Sequence, residues 1–147
     1  MTPGTALSLG PGESPGFLLW RITLRWQRVM VGALRPLGLT HVQFVLLASV
    51  WWLTVVAAER PTQRRLAEHA GTDPMMTSQV LRSLESDGLV TRTIDPADSR
   101  ARLLAATPRG AALAQAAIAV VEAADASFFA AANDRAALLR TLHTLAG

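Results

Sequence analysis

Hydrophobic side chains recur at intervals of three and four residues over most of the chain, and this is the periodicity of α-helices. Helix starts are indicated where a Ser, Thr or Asp side chain, which accepts from free helix N–H groups, stands directly before a proline. These pairs are Ser14-Pro15, Asp73-Pro74 and Thr107-Pro108. Thr40 with Gln43 forms a capping box, and Thr62 and Asn133 are candidate caps of two further helices. The pattern predicts six helices, over residues 15–34, 40–57, 62–70, 74–87, 108–128 and 134–145.

The predicted helices differ in how much of their surface is apolar. The segment 40–57 is apolar nearly all round, so we expect it at the centre of the core. The fifth helix carries an apolar stripe from Leu113 to Phe128, and the sixth presents three leucines at helical spacing. Apolar faces that one small chain cannot cover usually meet a partner. We therefore expect the first helix and the two C-terminal helices to form a homodimer interface.

The periodicity changes after Gly88, where a short β-hairpin is predicted. Residues 89–94 are rich in β-branched side chains, residues 95–100 are typical of a turn, and residues 102–105 return as the partner strand. Two short helices joined by a tight turn at Gly71, and followed by a two-stranded wing, form a unit that reads DNA. The fold class is thus mainly α with a small β-hairpin wing.

Several segments of this unit resemble the MarR family of winged helix-turn-helix transcriptional regulators. The similar segments are Arg65-Leu-Ala-Glu-His-Ala-Gly71, Leu81-Arg-Ser-Leu-Glu-Ser-Asp-Gly-Leu-Val90 and Asp98-Ser99-Arg100. Thr107-Pro108-Arg109-Gly110 is similar to the family's Leu-Thr-x-x-Gly, with Ala106 in place of the leucine. The resemblance covers residues 38–129 and is specific because the motifs occur together and in order.

The resemblance implies a homodimer that binds palindromic double-stranded promoter DNA and is often released by a small aromatic ligand. It also implies a division of the chain into a DNA-binding lobe and a helical dimerisation lobe. The expected parts are a flexible N-terminal arm (1–14), a dimerisation helix (15–37), a winged helix-turn-helix region (38–106) and C-terminal dimerisation helices (107–147). The expected function is that of a ligand-responsive repressor.

The predicted recognition helix supplies the candidate DNA contacts. Its exposed N-terminal face should reach base edges, where Gln79 suits adenine, Met75 a thymine methyl group and Arg82 guanine or phosphate. On the wing, the Arg100 guanidinium can enter a narrow minor groove, and Asp98 can orient it or cap the turn. The expected DNA-binding residues are Met75, Ser78, Gln79, Arg82, Asp98 and Arg100, with Arg64, Arg65 and Arg92 as weaker candidates for phosphates.

Four tryptophans in a chain with 5% aromatic residues suggest a ligand pocket. By the resemblance, ligands bind between the first two helices and the DNA-binding lobe. The candidate ligand contacts are Trp20, His41, Phe44, Trp51 and Trp52. The plainer interpretation is that these side chains pack in the core and the dimer interface, because buried aromatic residues are common.

The charge of the chain leaves a second hypothesis open. All 14 basic residues are Arg, and the net charge is +3. The winged region 60–102 has seven Arg and six acidic residues, so it lacks the dense basic run that would indicate DNA binding by charge alone. The alternative is a winged-helix adaptor that binds proteins without specific DNA binding.

Other function classes have little support in the sequence. The chain has no Cys, and its three His residues lack metal-ligand spacing, so neither metal nor cofactor is predicted. No nucleophile motif or phosphate loop suggests an enzyme. The apolar run 44–58 is shorter than the ~20 residues of a membrane span, and residues 1–16 lack a basic signal-peptide start. We expect a soluble, cytoplasmic protein.

Overall fold

The computed structural model describes residues 9–147, so most of the arm predicted for residues 1–14 lies outside it. The described chain contains six α-helices and one two-stranded sheet, as predicted. In chain order these are α1 (Pro15–Leu34), α2 (His41–Trp51), α3 (Gln63–Ala70), α4 (Pro74–Ser86), β1 (Val90–Asp95), β2 (Asp98–Ala106), α5 (Pro108–Phe128) and α6 (Arg135–Ala146). A 3₁₀ turn follows α1 at Arg35–Leu37, and another follows α5 at Phe129–Ala131.

Side-chain caps start the helices where the sequence indicated them. Ser14, Asp73 and Thr107 each accept from the backbone N–H group three residues ahead. The predicted capping box of α2 is complete, with Thr40 and Gln43 each bonded to the other's backbone. The prediction of Asn133 as the cap of α6 is wrong. Asp134 takes that place, and its carboxylate accepts from the Ala137 N–H group at 2.9 Å.

The second helix ends earlier than predicted. The α-helical pattern stops at Trp51 and gives way to a π-turn over Trp52–Val56, so the expected regular helix over 40–57 is wrong at its end. Within that turn the Thr54 hydroxyl donates to the Val50 carbonyl at 2.7 Å and competes with the regular backbone ladder. Ala58 then has a φ of 54°, which turns the chain out of the helix.

The core lies around α2, as its apolar composition predicted. This helix packs against α1, α3, α4, α5 and β2. Four of the side chains in α2 and its π-turn are fully buried, namely Leu46, Leu47, Val50 and Leu53. Met30 and Leu34 of α1 reach the same core, and so do Ala114 and Ala117 of α5. The core therefore joins the two ends of the chain to the middle segment that carries the hairpin.

The hairpin is longer and its turn shorter than predicted. The strands β1 and β2 pair antiparallel, with Val90 opposite Ala106, and only Pro96 and Ala97 lie between them. The turn expected over residues 95–100 is therefore wrong, since β2 begins at Asp98. The Leu104 N–H group donates to the Pro61 carbonyl at 2.9 Å. This bond attaches the wing to the segment that enters α3.

The start of α5 is bonded to, and packs closely against, residues 87–89, which connect α4 to β1. The Thr107 hydroxyl donates to the Gly88 carbonyl at 2.7 Å, and the Arg109 guanidinium donates to the Asp87 carbonyl. A Cβ atom on Gly110 would lie 1.9 Å from the Leu89 carbonyl oxygen, so only glycine fits this approach. The Thr-x-x-Gly motif thus allows α5 to pack closely against the segment that leads into the wing.

Large apolar faces stay exposed on α1 and α6. The first half of α1 exposes aromatic and aliphatic side chains, including Trp20 at 61% exposure. No residue of α6 is buried. Among the described residues, the helical stretch Pro108–Ala131 is long and apolar enough to cross a membrane by length and composition alone, and the pair Pro15–Leu37 and His41–Val56, bent by 72°, passes the same test if it counts as one span. The stretch Pro108–Ala131 packs against α1 and α2.

Candidate nucleic-acid interface

The turn between α3 and α4 is held by a small network of side chains. Gly71 ends α3 with a φ of 66°, which glycine adopts without strain. Thr77 of α4 is fully buried, and its hydroxyl donates to the Asp73 carbonyl at 2.8 Å. The same hydroxyl lies 2.7 Å from the Thr72 hydroxyl. These bonds fix the direction in which α4 leaves the turn.

The two faces of α4 divide much as the helical pattern predicted. Leu81 and Leu84 are buried, as is Thr77. By its position in the helical period Met76 lies on the same side as these residues, but it is 37% exposed. The opposite face holds the candidate base contacts Met75, Ser78, Gln79 and Arg82, of which Met75 is 77% exposed and Ser78 is half-buried.

Each of the three arginines predicted as weaker candidates for phosphate contacts forms an ion pair within the chain. Arg65 holds Glu59 in a two-point contact, with Nε–Oε2 at 3.0 Å and Nη2–Oε1 at 3.2 Å. The Arg65 hydrogen bond lowers the pKa of Glu59, and the same bond raises the pKa of Arg65. Arg92 is shared between Glu85 at 3.4 Å and Gln63 at 3.3 Å. Both arginines therefore stabilise the lobe itself.

Arg64 is different because its pair with Glu68 lies on the surface. The Nε–Oε1 distance is 3.2 Å, and the side chains of Arg64 and Glu68 are 90% and 60% exposed. An exposed i,i+4 pair of this kind contributes only about 0.3–0.5 kcal/mol. The Arg64 guanidinium is thus available to another anion at little cost.

On the wing, the predicted residues Asp98 and Arg100 do not form an ion pair. The Asp98 carboxylate accepts from the Arg100 backbone N–H group at 3.0 Å, so it shapes the turn, which was one of the two roles expected of it. Arg100 lies on β2, close to the tip, and is exposed. Within residues 9–147 its guanidinium has neither a hydrogen-bond nor an ion-pair partner. By contrast, the guanidinium groups of Arg92 and Arg102 both have hydrogen-bond partners.

The five candidate ligand contacts lie in different surroundings. Trp20 is on the exposed face of α1, while Trp52 stacks on His69 with ring centroids 5.4 Å apart. Phe44 and Trp51 are half-buried and pack against the core. His41 lies edge-on to Trp26 with centroids 4.9 Å apart. That these five side chains contact one ligand stays a prediction.

His41 does line a cavity, at the junction of α1 and α2. This space of about 300 Å³ also has Val31, Arg35, Leu39 and Thr40 in its walls. Burial lowers the pKa of His41, and the nearby Asp125 carboxylate opposes that shift. The sequence pattern placed Arg35 directly after α1 but did not indicate that it lies in the wall of this cavity.

A hydrogen bond that the sequence did not indicate joins α2 to the recognition helix. Gln43 accepts from the Thr40 N–H group through Oε1 and donates to the Ser83 hydroxyl through Nε2, both at 3.0 Å. The capping-box pattern identified the first of these bonds only. On the far side, Trp26 donates to Asp125 at 2.7 Å and so ties α1 to α5.

Comparison with known proteins identifies the family. The MarR family profile matches residues 39–101. The uncharacterized HTH-type transcriptional regulator YdcH of Bacillus subtilis is 44% identical over 136 residues, which are 92% of each chain. This chain belongs to the MarR family. It is a winged helix-turn-helix transcriptional regulator, as the motifs at 65–71, 81–90 and 98–100 implied.

Solved structures of other MarR-family proteins match over most of the chain. CouR of Rhodococcus jostii RHA1, bound to p-coumaroyl-CoA, is 32% identical with a TM-score of 0.76, covering 94% of this chain and 93% of CouR. CouR bound to a 23-mer DNA duplex is 30% identical with a TM-score of 0.79, covering 95% and 99%. Rv2887 of Mycobacterium tuberculosis, in complex with DNA, is 34% identical with a TM-score of 0.69, covering 91% and 98%.

Proposed function

We propose that this protein represses transcription by binding palindromic double-stranded DNA as a homodimer, and that a small aromatic ligand releases it. One observation carries the DNA-binding part. The recognition helix exposes Met75, Gln79 and Arg82 on one face, and the wing beside it presents Arg100, whose guanidinium has no partner in the described part of the chain. A helix with polar side chains suits base reading in the major groove, and a free guanidinium suits the narrow minor groove.

The contribution of each residue follows from its position. Gln79 reads a base edge with Met75 and Ser78 beside it, and Arg82 contacts guanine or phosphate. Arg100 enters the minor groove, in an orientation set by the bond between Asp98 and its backbone. Arg64 contacts phosphate directly, whereas Arg65 and Arg92 act mainly by holding the lobe in shape through Glu59 and Glu85.

Homodimerisation uses the apolar faces of α1 and the two C-terminal helices. Leu19, Trp20 and Ile22 of α1 are exposed, and so are Leu139, Leu142 and Leu145 of α6. A second copy would cover these side chains and bring two recognition helices to the two half-sites of a palindrome. The parts of the chain are then a dimerisation helix (15–37), a DNA-binding region (38–106) and C-terminal dimerisation helices (107–147).

The proposed ligand site is the cavity at the α1–α2 junction. Its wall combines apolar side chains with Arg35 and His41, which suits an aromatic acid. CouR was solved with p-coumaroyl-CoA, and Rv2887 with salicylic acid. Such a ligand would act by binding a lobe arrangement other than the one that binds DNA. We further propose that the protein is cytoplasmic and acts by binding rather than by catalysis.

Two substitutions test the DNA-binding part together. Gln79→Ala should relax the preference at one base pair per half-site, which costs about 1–3 kcal/mol on the best site and little elsewhere. Arg100→Ala should weaken binding to all sequences and lower the salt slope by about one per protomer. Affinities are measured by fluorescence anisotropy over a series of operator variants. If both variants bind with unchanged affinity and selectivity, the proposal fails and the protein-binding adaptor becomes the better hypothesis.

The ligand part is tested by tryptophan fluorescence. Trp26 contacts His41 in the cavity wall, so salicylate binding there should change its emission and weaken operator binding in the same concentration range. Arg35→Ala should abolish both effects without reducing DNA affinity in the absence of ligand. If no member of a broad set of aromatic acids changes either signal, the cavity is not an effector site.

A further inference from the structure

A second cationic site lies between the wing and the first turn of α3. A cavity of about 570 Å³, the wing notch, is walled by Gln63 and Arg64 of α3 and by Asp98, Arg100 and Arg102 of β2. Sequence analysis did not single out Gln63 or Arg102. The notch is held in place by the pairing of the Thr62 segment with Leu103 of β2.

The notch carries more positive than negative charge. Three arginines and one acidic residue, Asp98, line it. Glu68, which pairs with Arg64 on the surface, is not among the lining residues. Asp98 already accepts from the Arg100 backbone, and the first turn of α3 has no acidic residue. The Arg102 side chain is held by the backbone of β2, because its Nη1 donates to the carbonyls of Ser99 and Ala101, both at 3.3 Å. These bonds position the Arg102 guanidinium without neutralising its charge.

The place of the notch matters as much as its charge. Gln63 and Arg64 line the wing notch on one side, and on the other they line a groove between α3 and α4 with Pro74 and Thr77. These two residues therefore stand between the recognition helix and the wing. When a helix lies in the major groove and a wing lies in the neighbouring minor groove, the sugar-phosphate strand that separates the grooves must cross the surface between them.

We propose that the wing notch binds a backbone phosphate of that separating strand, with Arg102 and Arg64 as its cationic contacts. The inference rests on the proposed DNA binding and adds a site to it. The ligand is a phosphodiester read without regard to sequence, so the notch sets the register of the protein on DNA rather than its base preference. Gln63 accepts a hydrogen bond from Arg92, and Arg92 also donates to Glu85 of α4. The α3 side of the notch is thereby connected to the recognition helix.

Arg102→Ala in the full-length protein tests this site. The probe is a duplex selected by the wild-type protein from a random-sequence pool. We expect about a tenfold or greater loss of affinity at about 0.1 M salt, with the same order of preference among operator variants. The salt slope should fall by about two for a homodimer, one for each protomer. Arg60→Ala is the matched control, because it removes an exposed arginine that lies outside the proposed dimerisation helices and does not line the notch, and it should leave both quantities nearly unchanged.

Replacing one charged phosphate of the DNA by a neutral methylphosphonate identifies the phosphate that the notch contacts. Duplexes that each carry one methylphosphonate linkage are compared with unmodified DNA. For the wild type, one linkage per half-site between the helix and wing contacts should weaken binding, and for Arg102→Ala the same linkage should have no further effect. Equal affinity and slope for Arg102→Ala and wild type, or a loss that couples to no linkage, would overturn the notch proposal. Failure of the wild type to select any sequence would instead overturn the proposed function.

Discussion

The helix-turn-helix and the terminal helix α6 bury their apolar side chains to opposite extents. In α3 and α4, Leu66, Leu81 and Leu84 are fully buried by the rest of the chain. In α6 no residue is buried, and Leu145 is 76% exposed. Both segments have the periodicity of amphipathic helices, so the difference lies in what the chain offers to cover them.

This contrast separates two kinds of surface. The helix-turn-helix directs its apolar side inward to α2 and leaves Arg64, Gln79 and Arg82 exposed outside, which suits a polar, negatively charged partner such as DNA. The outer faces of α1 and α6 are apolar, which suits a protein surface of the same kind. The helix-turn-helix buries its apolar side chains within one chain, whereas α1 and α6 leave theirs exposed, as the proposed homodimer requires.

Removing residues 134–147 should give the largest effect. Without α6 we expect loss of the dimer, aggregation or monomers, and loss of operator binding, because α6 carries part of the exposed apolar surface that a second copy would cover. Analytical ultracentrifugation measures the oligomeric state. As a milder comparison, Leu142→Glu with Leu145→Glu keeps the chain length and should also dissociate the dimer. A stable, soluble monomer of the intact chain would contradict the proposed interface.

Gly110→Ala tests the close packing of α5 against the segment that leads into the wing. The new Cβ atom would meet the Leu89 carbonyl oxygen at 1.9 Å, so α5 and the start of β1 must separate. We expect a loss of about 3 kcal/mol or more in the free energy of unfolding, measured with urea. Gly32→Ala in α1 is the matched control. It meets nothing within 4 Å, so it should stabilise the protein by about 0.5–1 kcal/mol.

Leu81→Ala and Leu145→Ala compare the two regions directly. Leu81 is fully buried, so its truncation should lower the free energy of unfolding by about 2–5 kcal/mol at any protein concentration. Leu145→Ala should mainly raise the dissociation constant of the dimer, an effect seen as a concentration-dependent melting temperature. Equal, concentration-independent losses for both variants would mean that α6 is not an interface helix.

A smaller effect is expected from the pH dependence of His41. Burial lowers its pKa from 6.5, so the neutral imidazole is the form that the folded protein favours. This contribution to stability is complete above the unfolded-state pKa of 6.5 and is lost as the pH falls through it towards the folded-state value. Melting temperatures at about pH 7.5 and pH 5.5 should differ more for the wild type than for His41→Asn. The same difference in both proteins would show that another group titrates.

The contrast also explains where sequence analysis succeeded. Local signals placed the helix starts at Ser14, Thr40, Asp73 and Thr107, because a cap and its N–H partner lie within three residues of each other. The faces of α4 followed from its period, with Met76 as the exception. The π-turn after Trp51 was missed because the apolar pattern continues through it, and the competing bond of Thr54 leaves no trace in the period.

The candidate sites divide in the same way. Sequence alone indicated which residues face outward from α4 and that an arginine lies on the wing. It could not tell that Arg65 is held by Glu59 while the Arg100 guanidinium has no partner among residues 9–147, since both are arginines in polar segments. Nor could it place Arg64 and Arg102 in one notch, because 38 positions of the chain separate them and only the pairing of Thr62 with Leu103 brings them together.

The sequence by itself determined the six helices, the hairpin and the family, because periods, caps and short motifs act over a few residues. The tertiary structure alone decided which charges stay unpaired, where the cavities lie and which apolar faces remain uncovered. These properties depend on contacts between residues far apart in the chain, such as Trp26 with Asp125 and Gln43 with Ser83. No local pattern specifies such contacts, since they arise only when the helices pack around α2.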